Sequence, residues 1–399
     1  MTEAAILGKT GLARSRWRAL LKINLVSVLA QIIQTGTIAP LLSLTLDRRG
    51  VDPTTIGLIV GSPWIAIILT YKLVPRILHR VGLVFTNAMS IFISMTAIIA
   101  MAYVDDLYLL FALNFTVGVG LILRWIACDT WIVVVASQVG RGRAIGMHEA
   151  LMGFGIALGP LLLSITGIEG KTPFFVGAAL IGAALIPLYA LWPENHRPGI
   201  PKDKSDFGIF LYIPTALLGA FVAGFVETSS ISFLPLYSIG IGYAAVAATL
   251  MVFYYGAGAT ILQLPLGWLA DRISYRRAQY MAVAVVFCGA LLIPFIITLP
   301  WLAWLIIFIW GGAVGGMNTL AVIEAGERMP AHKLTLAMTT IAMCYTMGSI
   351  IGPIATGATI EHVSRHGLLL TSAIACVFFL VVVSVRVARS SKTASATRE

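Results

Sequence analysis

The residues that could do chemistry are few, and almost all stand inside long apolar runs. Arg124 and Asp129 lie five residues apart in one run, with Trp125 and Trp131 beside them. Glu227 lies in the middle of a second run, and Glu324 and Glu149 lie near the ends of two more. Asn24, Gln31, Gln34 and Asn318 add uncharged polar groups. An ionisable side chain deep in such a run costs about 2.5–3.5 kcal/mol on insertion scales, so each asks for a partner or a purpose. Arg124 keeps its charge at any working pH and needs a fixed or a passing anion. Two fixed partners are open to it. Asp129 is one, although helical contacts favour spacings of three and four; Glu227 is the other. A carboxyl in an apolar cavity can be loaded and unloaded with a proton, which makes Glu227 the candidate for proton coupling. Paired permanently with Arg124, it would not titrate. The tryptophans could stack on a flat organic molecule, or simply pack. Glu324 and Glu149, near the ends of their runs, are weaker coupling candidates, with simple hydration at the membrane surface as the alternative.

Other chemistries find less support. No nucleophile–base pair or metal triad gathers at one end of the runs, so no enzyme is expected. No Gly-x-x-x-x-Gly-Lys-Ser loop is present, so the chain is not expected to hydrolyse ATP, and no cofactor is implied. The cysteines Cys128, Cys288, Cys344 and Cys376 all fall in apolar runs and read as small buried hydrophobes. His148 with Met152, and Met343 with Met347, each put two soft groups on one helical face, which is the donor set of a Cu(I) site.

Elements that position these residues follow from composition. The 399 residues are 59% hydrophobic and only 11% charged, with mean hydropathy +0.93. Soluble domains carry about 25% charge, so the chain is expected to be an all-α integral membrane protein. Twelve apolar runs are each long enough for the ~20 residues that cross hydrocarbon: 19–46, 54–74, 83–104, 107–136, 144–167, 173–192, 208–237, 244–266, 278–298, 301–325, 334–359 and 367–388. The chain is polar up to about Arg18, with no cleavable leader pattern. With a cytoplasmic N-terminus, Arg48, Arg49, Lys171 and Arg365 are the only Lys or Arg in outer loops, and Arg124 is the only one deep in a run. The positive-inside rule therefore puts both ends in the cytoplasm. The net charge of +10 reads as this topogenic bias plus attraction to anionic lipid, not as a nucleic-acid surface.

Three landmarks recur at nearly one offset. Pro40-Leu41-Leu42-Ser43 matches Pro235-Leu236-Tyr237-Ser238. Gly155, Gly159 and Pro160 match Gly348, Gly352 and Pro353. Pro75–Gly82 lines up with Gly267–Ser274. The chain thus divides into two pseudo-symmetric six-helix halves, 1–192 and 208–390, joined by a Pro-rich linker at 193–207 and closed by a tail at 391–399.

Gly267, Asp271, Arg272, Arg276 and Arg277 resemble the loop signature of the major facilitator superfamily, with Ser274 where the family usually has Gly. The stretch is expected to be a polar, helix-breaking joint at the membrane surface. Gln263-x-Pro265-x-Gly267 before it resembles a bacterial branch near the drug-efflux and sugar-efflux members. The resemblance spans the whole chain. It implies a secondary transporter that moves a small organic solute by alternating access, as a monomer in the inner membrane, with protons as the coupling ion. It also implies that helices one, four, seven and ten line a central cavity. Gln31 and Gln34, Arg124, Glu227 and Asn318 fall on those four. Gly155, Gly159 and Pro160 partly match the family's antiporter signature, which favours export; the plain alternative is helix packing. Import of a small metabolite, or of Cu(I), stays open on the same fold, although the copper branch carries its pairs on adjacent helices of the second half. A non-transporting receptor or scaffold stays open too.

Overall fold

The computed structural model describes residues 3–136, 141–199 and 212–396. Among them there is no strand, and twelve helical spans are long and apolar enough to cross a membrane. They are Arg16–Arg48, Pro53–Thr70, Leu83–Met101, Leu107–Val135, Gly146–Thr166, Thr172–Tyr189, Pro214–Gly240, Ala245–Ile273, Tyr275–Ile296, Pro300–Arg328, Leu336–His362 and Gly367–Val385. Large apolar side chains in mid-span, among them Phe92, Val285 and Phe378, are exposed. Lipid is the solvent in which that surface is stable.

The chain forms two compact units: Met1–Thr45 with Ser62–Asp203, and Leu46–Gly61 with Lys204–Glu399. The N-terminal end of the second span therefore belongs to the second unit. There the Thr54 hydroxyl donates to Glu361 at 2.5 Å. The join between the units, Asp203 to Lys204, lies outside the described residues, as does most of the 193–207 linker's second half.

Within each unit the packing repeats. The first span packs on the fourth and fifth, and the third on the fourth and sixth. Likewise the seventh packs on the tenth and eleventh, and the ninth on the tenth and twelfth. The glycine motifs explain the closest of these contacts. A Cβ on Gly159 would overlap the Gly36 backbone, so the fifth span meets the first at main-chain distance. Gly348 and Gly352 face the backbone carbonyls of Phe221 and Phe225 on the seventh span in the same way.

The first span is not a uniform α-helix: Ile32–Thr37 is a π-helical turn. Thr37 Oγ1 donates to the Ile32 carbonyl at 2.7 Å and so occupies one backbone acceptor in the widened turn. Nothing in the periodicity of the run marks this turn.

The signature stretch differs from expectation. Gln263–Ile273 is helical and, past a turn at Leu262, extends the eighth span; Ser274 then breaks the chain before Tyr275–Ile296. Polar side chains at a span's end reach water without the backbone having to unfold, so Asp271 and Arg272 are exposed at the end of one helix and Arg276 and Arg277 at the start of the next. The Arg272 guanidinium lies 3.7 Å over the Trp268 ring. Ser274 takes φ 110°, ψ 146°, the one positive φ outside glycine among the described residues. Its counterpart Gly82 has φ 90°, ψ 172°. Such a conformation costs a non-glycine residue about 1–3 kcal/mol. The Ser274 hydroxyl recovers a few tenths by accepting from Arg277 N at 3.4 Å. Ser274→Gly is therefore expected to stabilise the protein by about 1 kcal/mol, after allowing for glycine's freer unfolded chain. The midpoint of denaturant unfolding in detergent should rise; a lower midpoint contradicts the strain assignment.

Candidate functional site

Arg124 is fully buried in the fourth span. Its Nε donates to Gln34 Oε1 at 2.8 Å, one terminal nitrogen donates to Gln31 Oε1, and the other lies 3.6 Å from Met152 Sδ. Gln34 also donates to Ser94 Oγ at 2.7 Å, which fixes its amide with the oxygen toward the guanidinium. Gln31 and Gln34 are buried three residues apart, so both reach one guanidinium from one helix. The arrangement holds a permanent cation with neutral partners. Among the described residues no carboxylate pairs with it.

Asp129 turns instead to His148 of the fifth span, with Nε2 to Oδ1 at 3.2 Å. The other imidazole nitrogen, Nδ1, meets Asn24 Oδ1 of the first span at 2.9 Å. This answers one alternative left by the sequence: Asp129 is not the direct partner of Arg124. It also uses both nitrogens of His148, while Met152 faces the guanidinium. The two soft groups are thus engaged separately, and Met347 of the other pair is exposed. Among the described residues no group of three or more His, Cys, Asp or Glu could hold a metal ion. Trp131 is buried in the packing, Trp125 is half-buried, and the Cys128 thiol reaches Asn87 Oδ1 at 3.1 Å.

In the second unit Glu227 is half-buried at the centre of the seventh span. The Tyr345 hydroxyl of the eleventh span donates to its carboxyl, and Tyr255 of the eighth, fully buried, lies within range of its charge. Sequence reasoning missed both tyrosines, because a phenol inside an apolar run looks like any aromatic. Asn318 is half-buried on the tenth span, and its Oδ1 has no hydrogen-bond partner among the described residues.

Glu324 departs from the hydrated alternative. It is 2% exposed, not hydrated, and pairs with Arg328 at 2.9 Å one helical turn on. Its carboxylate is paired at the helix end. Glu149 is exposed, as that alternative has it.

Each unit thus presents a polar cluster within apolar helices. In the first it is built on the first, fourth and fifth spans, and in the second on the seventh, eighth and eleventh. Two six-span units of repeated packing, each with buried ionisable groups, define a membrane carrier. The chain belongs to the major facilitator superfamily, whose model matches residues 25–335. It is therefore a multi-pass membrane protein and a secondary transporter that works by alternating access. It is 25% identical over 352 residues to the MFS-type transporter YfkF of Bacillus subtilis (strain 168), covering 86% of this chain and 88% of that one. It is 24% identical over 375 residues to the MFS-type transporter YcaD of Escherichia coli (strain SE11), covering 90% and 93%. In fold it is similar to the nucleoside transporter NupG, with TM-score 0.72 at 14% identity over 91% of this chain and 96% of that one. It is also similar to a bacterial homolog of the human lysosomal transporter Spinster, with TM-score 0.71 at 16% identity over 92% and 95%.

Proposed function

We propose that this protein is a proton-coupled transporter of a small organic solute in the cell (inner) membrane, with Arg124 as the fixed charge and Glu227 as the switched one. The observation that carries the reading is the contrast between them. Arg124 is buried among Gln31, Gln34 and Met152, and among the described residues no carboxylate pairs with it. Glu227 is a carboxyl that meets a phenol, Tyr345, and not a base. A protonated Glu227 carries no charge to oppose an anionic group of the solute; an ionised one does. Asn318 and Trp125 supply further polar and aromatic contacts to the solute. Both termini face the cytoplasm, as the distribution of Lys and Arg requires. A cysteine at Ser391 that labelled from outside would contradict this orientation.

The sign of the linkage gives the direction. A proton that lifts this opposition binds together with the solute, so an inward proton gradient drives uptake. Export, which the Gly155–Pro160 motif implies by resemblance, requires proton and solute to compete. The close backbone contacts of those glycines are what packing alone would also require. The experiment is a thermal-shift ligand screen on purified protein, followed by affinity against pH for the solute found. Affinity that rises as pH falls supports co-binding and uptake. Affinity that falls with pH supports export, and affinity indifferent to pH sinks proton coupling.

Asp271 is the gating residue of this reading. By the resemblance it meets the positive N-terminus of a neighbouring helix and steadies one of the two access states. Asp271→Asn is expected to slow transport several-fold, as about 1 kcal/mol on the gating equilibrium would. Solute affinity and thermal stability should be unchanged. Wild-type transport rates in that variant remove the gating role.

A further inference from the structure

The guanidinium of Arg124 is unevenly served. It offers five N–H donors in one plane. Gln34 takes Nε and Gln31 takes Nη2, so both strong acceptors lie along one edge. The other edge is formed by Nη1 and the second N–H of Nη2. Among the described residues its one hydrogen-bond contact is Met152 Sδ, 3.6 Å from Nη1. A thioether carries no charge and accepts weakly. The two sides also differ in how firmly they are held. Gln34 donates to Ser94 Oγ at 2.7 Å and lies in the π-helical turn Ile32–Thr37. Gln31 is pressed by the fifth span, where a Cβ on Gly155 would come within 3.1 Å of its own Cβ. Met152, by contrast, is unbranched, has three rotatable bonds, and stands at the edge of burial, 9% exposed. The glutamines are clamped; the methionine can withdraw.

We propose that the solute carries a carboxylate, which takes the edge of Arg124 that Met152 covers, and that Met152 is the specificity-determining residue it displaces. This rests on the reading of Arg124 as the solute's charge, and names the group that the charge meets. A carboxylate presents two oxygens to two parallel N–H groups and makes charge-assisted hydrogen bonds with both. The exchange replaces a weak neutral acceptor by a strong charged one and leaves the glutamine contacts in place. Charge decides between oxyanions. One guanidinium held by neutral amides is balanced by one negative charge. A phosphate monoester brings about −1.5 to −2 at neutral pH and would bury the surplus, which is costly without a second cation. A neutral amide group would set its own N–H donors against the guanidinium and gain at most one contact.

The test is thermal unfolding of the purified protein in detergent, at matched ionic strength, with paired probes: benzoate against benzamide, acetate against acetamide, and inorganic phosphate. A bound probe raises the unfolding midpoint. Both carboxylates should raise it as their concentration grows, phosphate less, and the amides not at all. Met152→Leu keeps the volume but removes the competing sulfur, so it should bind benzoate several-fold more tightly. Met152→Ala, used if the first variant does not fold, should do the same. In Arg124→Ala, or Arg124→Lys if that does not fold, the benzoate shift should be lost or much reduced. No shift with either carboxylate overturns the proposal, as do equal shifts with benzoate and benzamide or a larger one with phosphate. Unchanged or weaker benzoate binding in the Met152 variant overturns it, and so does a benzoate shift that survives without Arg124. A neutral solute from the ligand screen that binds through Arg124 would overturn it too, while leaving the reading of Arg124 intact. Carboxylate binding that follows Met152 and Arg124, in a protein that shows no proton-driven accumulation, would support it and sink proton coupling alone.

Discussion

Replacing Arg124 with alanine is expected to abolish solute binding while the protein still inserts in the membrane. The guanidinium is fully buried and donates to Gln31 and Gln34. Its removal takes away the one permanent charge of the cluster and leaves two amide oxygens without their donor. Truncating one partner of a buried charge contact costs about 2–5 kcal/mol, so affinity should fall by at least about 30-fold. Arg124→Lys keeps the charge but cannot serve both glutamines with a planar fork, and should recover only part of the loss. Calorimetric titration of the solute found by the ligand screen reads both variants. Near wild-type affinity in Arg124→Ala would remove Arg124 from the binding site and make it a structural residue.

Glu227→Gln is expected to keep solute binding and lose proton-driven accumulation. Glutamine is close in shape to a protonated glutamate and can still accept from the Tyr345 hydroxyl, so the packing of the seventh and eleventh spans should survive. The wild type should bind solute more tightly as pH falls, because protonation of Glu227 removes a negative charge that opposes an anionic group of the solute. The variant should hold the tight, low-pH affinity throughout the neutral range. Without a group that loads on one side and unloads on the other, it can exchange solute but cannot concentrate it. If the variant keeps the wild-type pH profile, the coupling group lies elsewhere, and Asp129 and Glu324 become the next places to look.

The sequence reveals what lipid imposes on every span and hides what only tertiary contact creates. All twelve spans are legible because a helix must present about 20 apolar residues to cross hydrocarbon, a constraint that no packing detail can override. The repeat is legible because Gly159 and Gly352 serve the same close backbone contact in each unit. The helical state of Gln263–Ile273 is not legible, since polar residues at a span's end leave the hydrocarbon without the helix having to end. The strained turn at Ser274 is visible only as a departure from glycine. Asn24, His148 and Asp129 stand out singly as polar residues in apolar runs. Their meeting depends on how the first, fourth and fifth spans rotate, which hydropathy does not encode. A place near a span's end leaves hydration open for Glu324, yet the Arg328 contact allows it to be buried.

Solute uptake into proteoliposomes with an imposed pH gradient, inside alkaline, tests the central claim most directly when wild type and Glu227→Gln are compared. The account predicts that the wild type concentrates solute above its outside level, that a protonophore collapses the gradient, and that Glu227→Gln reaches equal concentrations and no more. Accumulation by Glu227→Gln to the wild-type level contradicts it.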